Sequence, residues 1–330
     1  MPGGPAGAGW QRELARAFTR VEALLEFLGL PPSAGVEVLP AGGDFPLLVP
    51  RGFAALMRPG DPNDPLLRQV LPLAAELRSV EGFGTDPLDE QHARTAAGLL
   101  RKYAGRALLM PTGGCAVHCR YCFRRHFPYA DLPARAALDA PLAALEEARD
   151  ISEVILSGGD PLLLDDAALA HLLGRLAEIG HLKRVRVHTR LPVVLPERVT
   201  PTLCRLLTPQ RQRTLLVIHA NHPAELGEAA ADALARLRGA GVPLLNQSVL
   251  LRGINDAVGT LAALSERLFD CGVLPYYLHQ LDPVAGAAHF AVDDARARRI
   301  AAALRRELPG YLTPLLVREA PGAQHKLPLL

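Results

Sequence analysis

Three of the five cysteines, Cys115, Cys119 and Cys122, fall within eight residues, in Gly113-Gly114-Cys115-Ala116-Val117-His118-Cys119-Arg120-Tyr121-Cys122. Thiolates this close can wrap one face of an iron–sulfur cube. A cubane cluster has four irons and normally four cysteine ligands, so three ligands leave one iron open to an outside molecule. A second geometry adds His126, four residues past Cys122, to give a closed Cys₃His zinc site. Arg120, Arg124 and Arg125 would then suit RNA phosphates. An odd, clustered set of cysteines is a poor disulfide framework and fits metal binding in a reducing compartment. Cys204 and Cys271 lie in helical patterns and read as buried structural thiols.

The second chemical motif is Leu156-Ser157-Gly158-Gly159-Asp160-Pro161. Paired glycines let backbone approach a ligand closely. Both motifs sit at the ends of short apolar runs. The runs are 106–112, 153–157, 184–190, 214–219, 243–251 and 274–281, and helical patterns lie between them. One such helix has Asp165 as N-cap, Leu169, Leu172, Leu173 and Leu176 on its apolar face, and Gly180 past its end. Strand–helix alternation implies parallel strands with right-handed crossovers. Six units predict an α/β fold, a partial (β/α)₆ barrel with its active site at the C-terminal ends of the strands. Upstream, residues 10–30 read as amphipathic helix, 31–65 as a Pro- and Gly-rich surface stretch, and 66–104 as helical again. The expected organisation is a mostly helical extension over 1–104, the barrel over 105–300, and a docked C-terminal segment over 301–330.

Bulk properties narrow the function. The 330 residues are 49% hydrophobic and 21% charged, with net charge +2. That is ordinary for a globular protein and gives no field suited to nucleic acid or membrane. No apolar run of about 18 residues marks a membrane span, and Glu13, Glu22 and Glu26 interrupt any signal-peptide pattern. A cytoplasmic protein is the expectation. Only Lys102, Lys183 and Lys326 are lysines.

The cysteine spacing resembles the radical S-adenosylmethionine (SAM) signature, with Ser157, Gly158, Gly159 and Asp160 resembling the segment that holds the SAM amino group. Further blocks are more specific: Tyr121-Cys122-Phe123-Arg124-Arg125, Thr189-Arg190-Leu191-Pro192-Val193-Val194-Leu195-Pro196, His219-Ala220-Asn221-His222-Pro223 and Asn246 to Asp256. Together, over residues 45–330, they resemble the lysine 2,3-aminomutase family. The chain is most similar to the branch that makes β-lysine for modifying elongation factor P (EF-P).

The resemblance implies three cofactors: a [4Fe-4S] cluster on Cys115, Cys119 and Cys122, SAM on the open iron, and pyridoxal 5′-phosphate (PLP) on Lys326. It implies phosphate contacts from Lys102, Arg106, Arg190 and Gln247. Arg124 would clamp the substrate carboxylate, and Asp282 with Glu319 would take the distal ammonium of L-lysine. It implies a radical exchange of the amino group between C2 and C3, an external electron donor, and functional links to an EF-P lysine ligase and to EF-P. A catabolic aminomutase acting on free lysine is the alternative within the family. Longer catabolic members carry a zinc site with a cysteine where Ala257 stands here, so no zinc is expected.

Overall fold

The computed structural model describes residues 8–31, 37–39, 45–132, 138–208 and 211–329. Among the described residues ten strands form one sheet in strict chain order. They are β1 (Arg94–Ala96), β2 (Leu99–Tyr103), β3 (Arg106–Thr112), β4 (Glu153–Gly158), β5 (Arg184–Thr189), β6 (Arg213–Ile218), β7 (Leu244–Val249), β8 (Leu274–His279), β9 (Leu315–Arg318) and β10 (Leu327–Pro328). Strands β3 to β9 run parallel. Antiparallel pairs close both flanks, β1 and β2 against β3 and β10 against β9. All six expected strand runs are present, as β3 to β8, and β9 adds a seventh parallel strand.

The alternation along β5 shows how the sheet sorts its residues. Val185, Val187 and Thr189 are buried, and the two valines join the main hydrophobic core. Arg186 and His188 point the other way and line the interior cavity. Period-two alternation thus puts apolar residues under the helices and titratable ones inside. The helix Asp166–Glu178 follows β4 as expected: Asp165 caps it by accepting from Ala168 N at 2.8 Å, and Leu169, Leu172 and Leu176 are buried. Such a cap contributes about 1 kcal/mol.

The C-terminal segment is docked. β9 pairs with β8, β10 returns along β9, and Leu329 N donates to Leu316 O at 3.0 Å. This return brings Lys326 back to the sheet.

The N-terminal third departs from expectation. Residues 10–30 form two helices, Ala8–Ala15 and Val21–Phe27, because Phe18 exchanges two backbone hydrogen bonds with Val49, at 2.8 and 3.0 Å. Of the expected surface stretch 31–65, residues 32–36 and 40–44 lie outside the described residues, and 45–65 do not simply cross the surface, since Leu47, Val49, Phe53, Ala54 and Met57 are buried. The helical reading of 66–104 is corrected. That stretch holds one α-turn at Pro65–Arg68, a 3₁₀ turn at Ala74–Leu77, and then β1 and β2. Gly98, at φ +78°, makes the turn between those strands, and pairing with β3 overrides the leucine spacing.

Candidate active site

The cysteine loop leaves the C-terminal end of β3, and Cys115, Cys119 and Cys122 all line one cavity. The N-terminal segment clamps the loop. Arg120 is fully buried; its Nε donates to Glu76 at 2.8 Å and its Nη1 to Phe45 O at 2.7 Å. Arg125 donates to the same Glu76 carboxylate at 2.6 Å. Arg124 is buried on Glu90. None of the three arginines is free for an RNA phosphate, and His126 directs Nε2 to Ala285 O at 3.1 Å.

The turn after β4 backs the loop. A Cβ on Gly159 would lie 2.1 Å from Gly114 O, and one on Gly158, at φ +107°, would lie 2.8 Å from Met110. Asp160 N donates to Gly114 O at 2.7 Å. Both glycines are therefore required by contact with β3 and the cysteine loop, beyond any ligand approach. Asp160 is also committed to protein. Its carboxylate accepts from Thr189 Oγ1 at 2.7 Å, Arg190 N at 2.7 Å and Leu162 N at 3.1 Å. Burial pushes it up to about 6, limited by these bonds. Ser157 Oγ accepts from Arg124 Nη1 at 3.1 Å.

The far end of the cavity is a nest of charges. Lys326 Nζ reaches Glu319 and stands 5.7 Å over the Tyr277 ring. Lys102 Nζ donates to the other Glu319 oxygen at 3.1 Å and lies 3.5 Å from Glu90. Burial lowers the Lys326 pKa and Glu319 opposes the drop. Burial alone would raise Glu319, but Lys326 and Lys102 outweigh it and hold the carboxyl well below its ordinary range. Among the described residues Asp282 has no cation at hydrogen-bonding distance, and its Oδ1 is buried without a partner. Burial, then the Glu319 charge, pushes it up to about 7. Arg106 stacks 5.2 Å from the Tyr103 ring, with no ion pair among the described residues.

Three histidines line the cavity walls. His219 Nε2 contacts the Gln247 amide at 2.8 Å, while the buried Nε2 atoms of His188 and His279 have no partner. Burial holds all three neutral, His219 down to about 3 and the others well below their ordinary value.

These groups fit the implied cofactors. Burial, then the neighbouring thiolates, drives Cys115 well above its ordinary value and Cys122 to about 11. Three partly buried thiolates lining one cavity repel unless a cationic center joins them, which is what cluster irons supply. Among the described residues no three His, Cys, Asp or Glu side chains converge on a single ion. A cubane puts each sulfur on a different iron and needs no such convergence. At the other end, a buried amine with lowered pKa suits covalent attachment of a carbonyl cofactor. Arg106 and Lys102 beside it suit a phosphate. The orphaned Asp282 oxygen suits an added cation.

Comparison with known proteins agrees. The Radical SAM superfamily signature matches residues 109–264. An L-lysine 2,3-aminomutase of Escherichia coli (strain K12) is 48% identical over 330 residues, covering 98% of this chain and 95% of the relative. The chain belongs to the L-lysine 2,3-aminomutase family. It is an isomerase of the radical SAM class, and its superfamily implies the [4Fe-4S] cluster and SAM. Relatives of the same description from Haemophilus influenzae and Clostridium subterminale are 45% and 35% identical, and the chain covers 94% and 77% of their lengths.

Several expected ligands stand elsewhere than anticipated. Glu90 occupies the Nε–Nη2 edge of Arg124, at 2.6 and 2.8 Å, leaving only the Nη1–Nη2 end for a substrate. Arg190 contacts Cys119 Sγ, Gln69 and Glu225, so its bonds support no phosphate role. Sequence reasoning missed Glu90, which lies in the segment misread as helix. It missed His188 too, although the Arg-Val-Arg-Val-His alternation of β5 signals an inward face. Cys204 and Cys271 are buried, as expected.

Proposed function

We propose that the protein is a lysine 2,3-aminomutase that uses PLP on Lys326 together with the cluster and SAM, converting L-lysine to β-lysine for the modification of EF-P. One observation carries this reading: the cysteine trio, Lys326, Asp282 and Glu319 line a single cavity. Bound SAM and PLP together supply reversible hydrogen removal and delocalisation of an unpaired electron. The protein's part is placement and exclusion of water.

Lys326 Nζ contacts Glu319, and burial lowers the cost of reaching its neutral, nucleophilic form while Glu319 opposes that drop. Arg106 and Lys102 meet the phosphate, with Gln247, which lines the same cavity, as a neutral donor. Once Lys326 is committed to PLP and Lys102 turns to the phosphate, both Glu319 oxygens are released. Glu319 and Asp282 then face the distal ammonium of the substrate. Two carboxylates select a cation at that end and reject an apolar or anionic side chain. Arg124 offers its Nη1–Nη2 end to the substrate carboxylate while Glu90 fixes the guanidinium plane. The cluster requires a one-electron donor from outside.

The EF-P assignment is supported by the resemblance to that branch and by Ala257 at the position of the zinc cysteine. The test is anaerobic incubation of the protein with L-lysine, SAM, PLP and dithionite, followed by addition of EF-P and its lysine ligase. Formation of β-lysine and its transfer to EF-P is expected. No β-lysine overturns the reading. β-Lysine that the ligase does not use supports the catabolic alternative.

A further inference from the structure

Arg190 is a buried charge held through both terminal nitrogens by protein groups, a setting unlike that of a phosphate ligand. Its side chain lies at the end of β5, 7% exposed, against a Glu225 carboxylate that is 0% exposed. Nη1 donates to Cys119 Sγ at 2.6 Å. Nη2 donates to Gln69 Oε1 and Glu225 Oε2, each at 2.8 Å. The backbone N of the same residue is fixed by Asp160 at 2.7 Å. The rings of Phe53 and Tyr121 flank the guanidinium at 5.5 and 5.7 Å.

The surroundings are equally fixed. Glu225 also accepts from Gln69 Nε2, Asn221 N and His222 N, at 3.0, 2.9 and 2.9 Å. Asn221 Nδ2 bonds Gln69 Oε1 and Tyr121 OH. Four segments far apart in sequence thus converge to aim one cationic donor at one ligand sulfur. A buried ion pair of this kind adds little net stability over an apolar packing of the same volume, since its desolvation roughly cancels its attraction. That makes a role toward the sulfur the better account.

We propose that Arg190 is a positioning residue of the cluster, pinned by Glu225 and Gln69 so that it donates to the Cys119 sulfur and sets the reduction potential. The physical basis is direct. Reduction adds one electron, from an external one-electron donor, and so one negative charge to the cluster. Hydrogen bonds to the ligand sulfurs and nearby net charge are what set such potentials. The guanidinium touches the sulfur, whereas the Glu225 carboxylate touches the opposite amino group, so the cation is the nearer charge. It favours the reduced cluster, and Glu225 damps that effect.

The inference rests on the cluster reading, so iron and sulfide content of every variant is measured first. Cluster-free wild type would sink that reading; intact clusters with unmoved potentials would sink this one. The test is an anaerobic redox titration of the reconstituted full chain, monitored by electron paramagnetic resonance, for wild type, Arg190→Gln and Glu225→Gln. Arg190→Gln should shift the midpoint to more negative potential, because a cation and a strong donor are lost. Glu225→Gln should shift it the other way, because the guanidinium is left unscreened. A structural role alone predicts no such opposition. If Arg190→Gln does not retain iron, Arg190→Lys serves, with a smaller negative shift expected because charge remains but the forked donor is lost. Shifts in the same direction, or unchanged potentials with only SAM binding weakened, overturn the proposal.

Discussion

Replacing Asp282 with Asn should stabilise the cofactor-free protein while damaging its affinity for lysine. The carboxyl is raised from an ordinary 3.8 to about 7, first by burial and then by the Glu319 charge. A raised value means that the fold favours the protonated form. The corresponding stability is complete below pH 3.8 and is lost as pH climbs to about 7. Each pH unit in that window is worth about 1.36 kcal/mol, so the ionised carboxylate costs the fold about 4 kcal/mol above pH 7. Between pH 5 and pH 8 the wild type should lose about 3 kcal/mol more from this group than a variant that cannot ionise. Burying the Asn amide without partners costs about 1–3 kcal/mol at every pH.

The advantage of Asp282→Asn over wild type should therefore grow with pH, and denaturant melts of both proteins at pH 5 and pH 8 read it. Binding should move the opposite way. Loss of a charge-assisted bond to the substrate ammonium costs about 1.5–3 kcal/mol, or about 10- to 150-fold in KM for lysine. In the wild type, affinity should fall about tenfold from pH 8 to pH 6, as Asp282 takes up a proton, and the variant should lack that dependence. A stability difference equal at both pH values, or an unchanged KM, would refute the placement of Asp282 beside the substrate.

Three other perturbations probe the rest of the site. Lys326→Ala should abolish turnover and the visible absorbance of lysine-bound PLP; retention of that absorbance would mean another lysine is used. Gly159→Ala drives a methyl to 2.1 Å from Gly114 O. Overpacking of this kind costs about 1–3 kcal/mol or more, and it should appear as loss of iron retention, checked by metal analysis. Glu76→Gln leaves the buried Arg120 and Arg125 guanidiniums without their shared anion. It should cost about 3–5 kcal/mol, read as a lowered denaturation midpoint. In the wild type Arg120 and Arg125 outweigh burial and lower the Glu76 value below 4.5, so that stability is present above pH 4.5 and lost as pH falls through the lowered value.

The parts legible in the sequence are those written by local rules. The six strand runs carry their apolar character within a few residues. Asp165 caps its helix with its own side chain. The cysteine trio needs only one loop. The parts that were not legible depend on distant pairing. Leu99 and Leu100 look helical in isolation and become β2 only against Leu109 and Leu108. Glu90 enters the site because of that misread segment, and it takes two of Arg124's five N–H donors. Lys102 meets Glu319 across 217 residues of chain, a contact that no spacing reveals; the family resemblance gave the two residues separate roles, toward phosphate and toward the substrate ammonium. Gly158 and Gly159 were legible as special backbone, but the reason lay in the loop packed on them. Arg190 was legible as functional, yet its direction depends on Gln69 and Glu225, which belong to other elements.

The account stands most directly on the metal content of the chain. After anaerobic reconstitution it predicts four irons and four sulfides per chain. The reduced cluster should show a paramagnetic signal that changes when SAM is added, and each of Cys115→Ala, Cys119→Ala and Cys122→Ala should lose it. Stoichiometric zinc with negligible iron, or a signal indifferent to SAM, would contradict it.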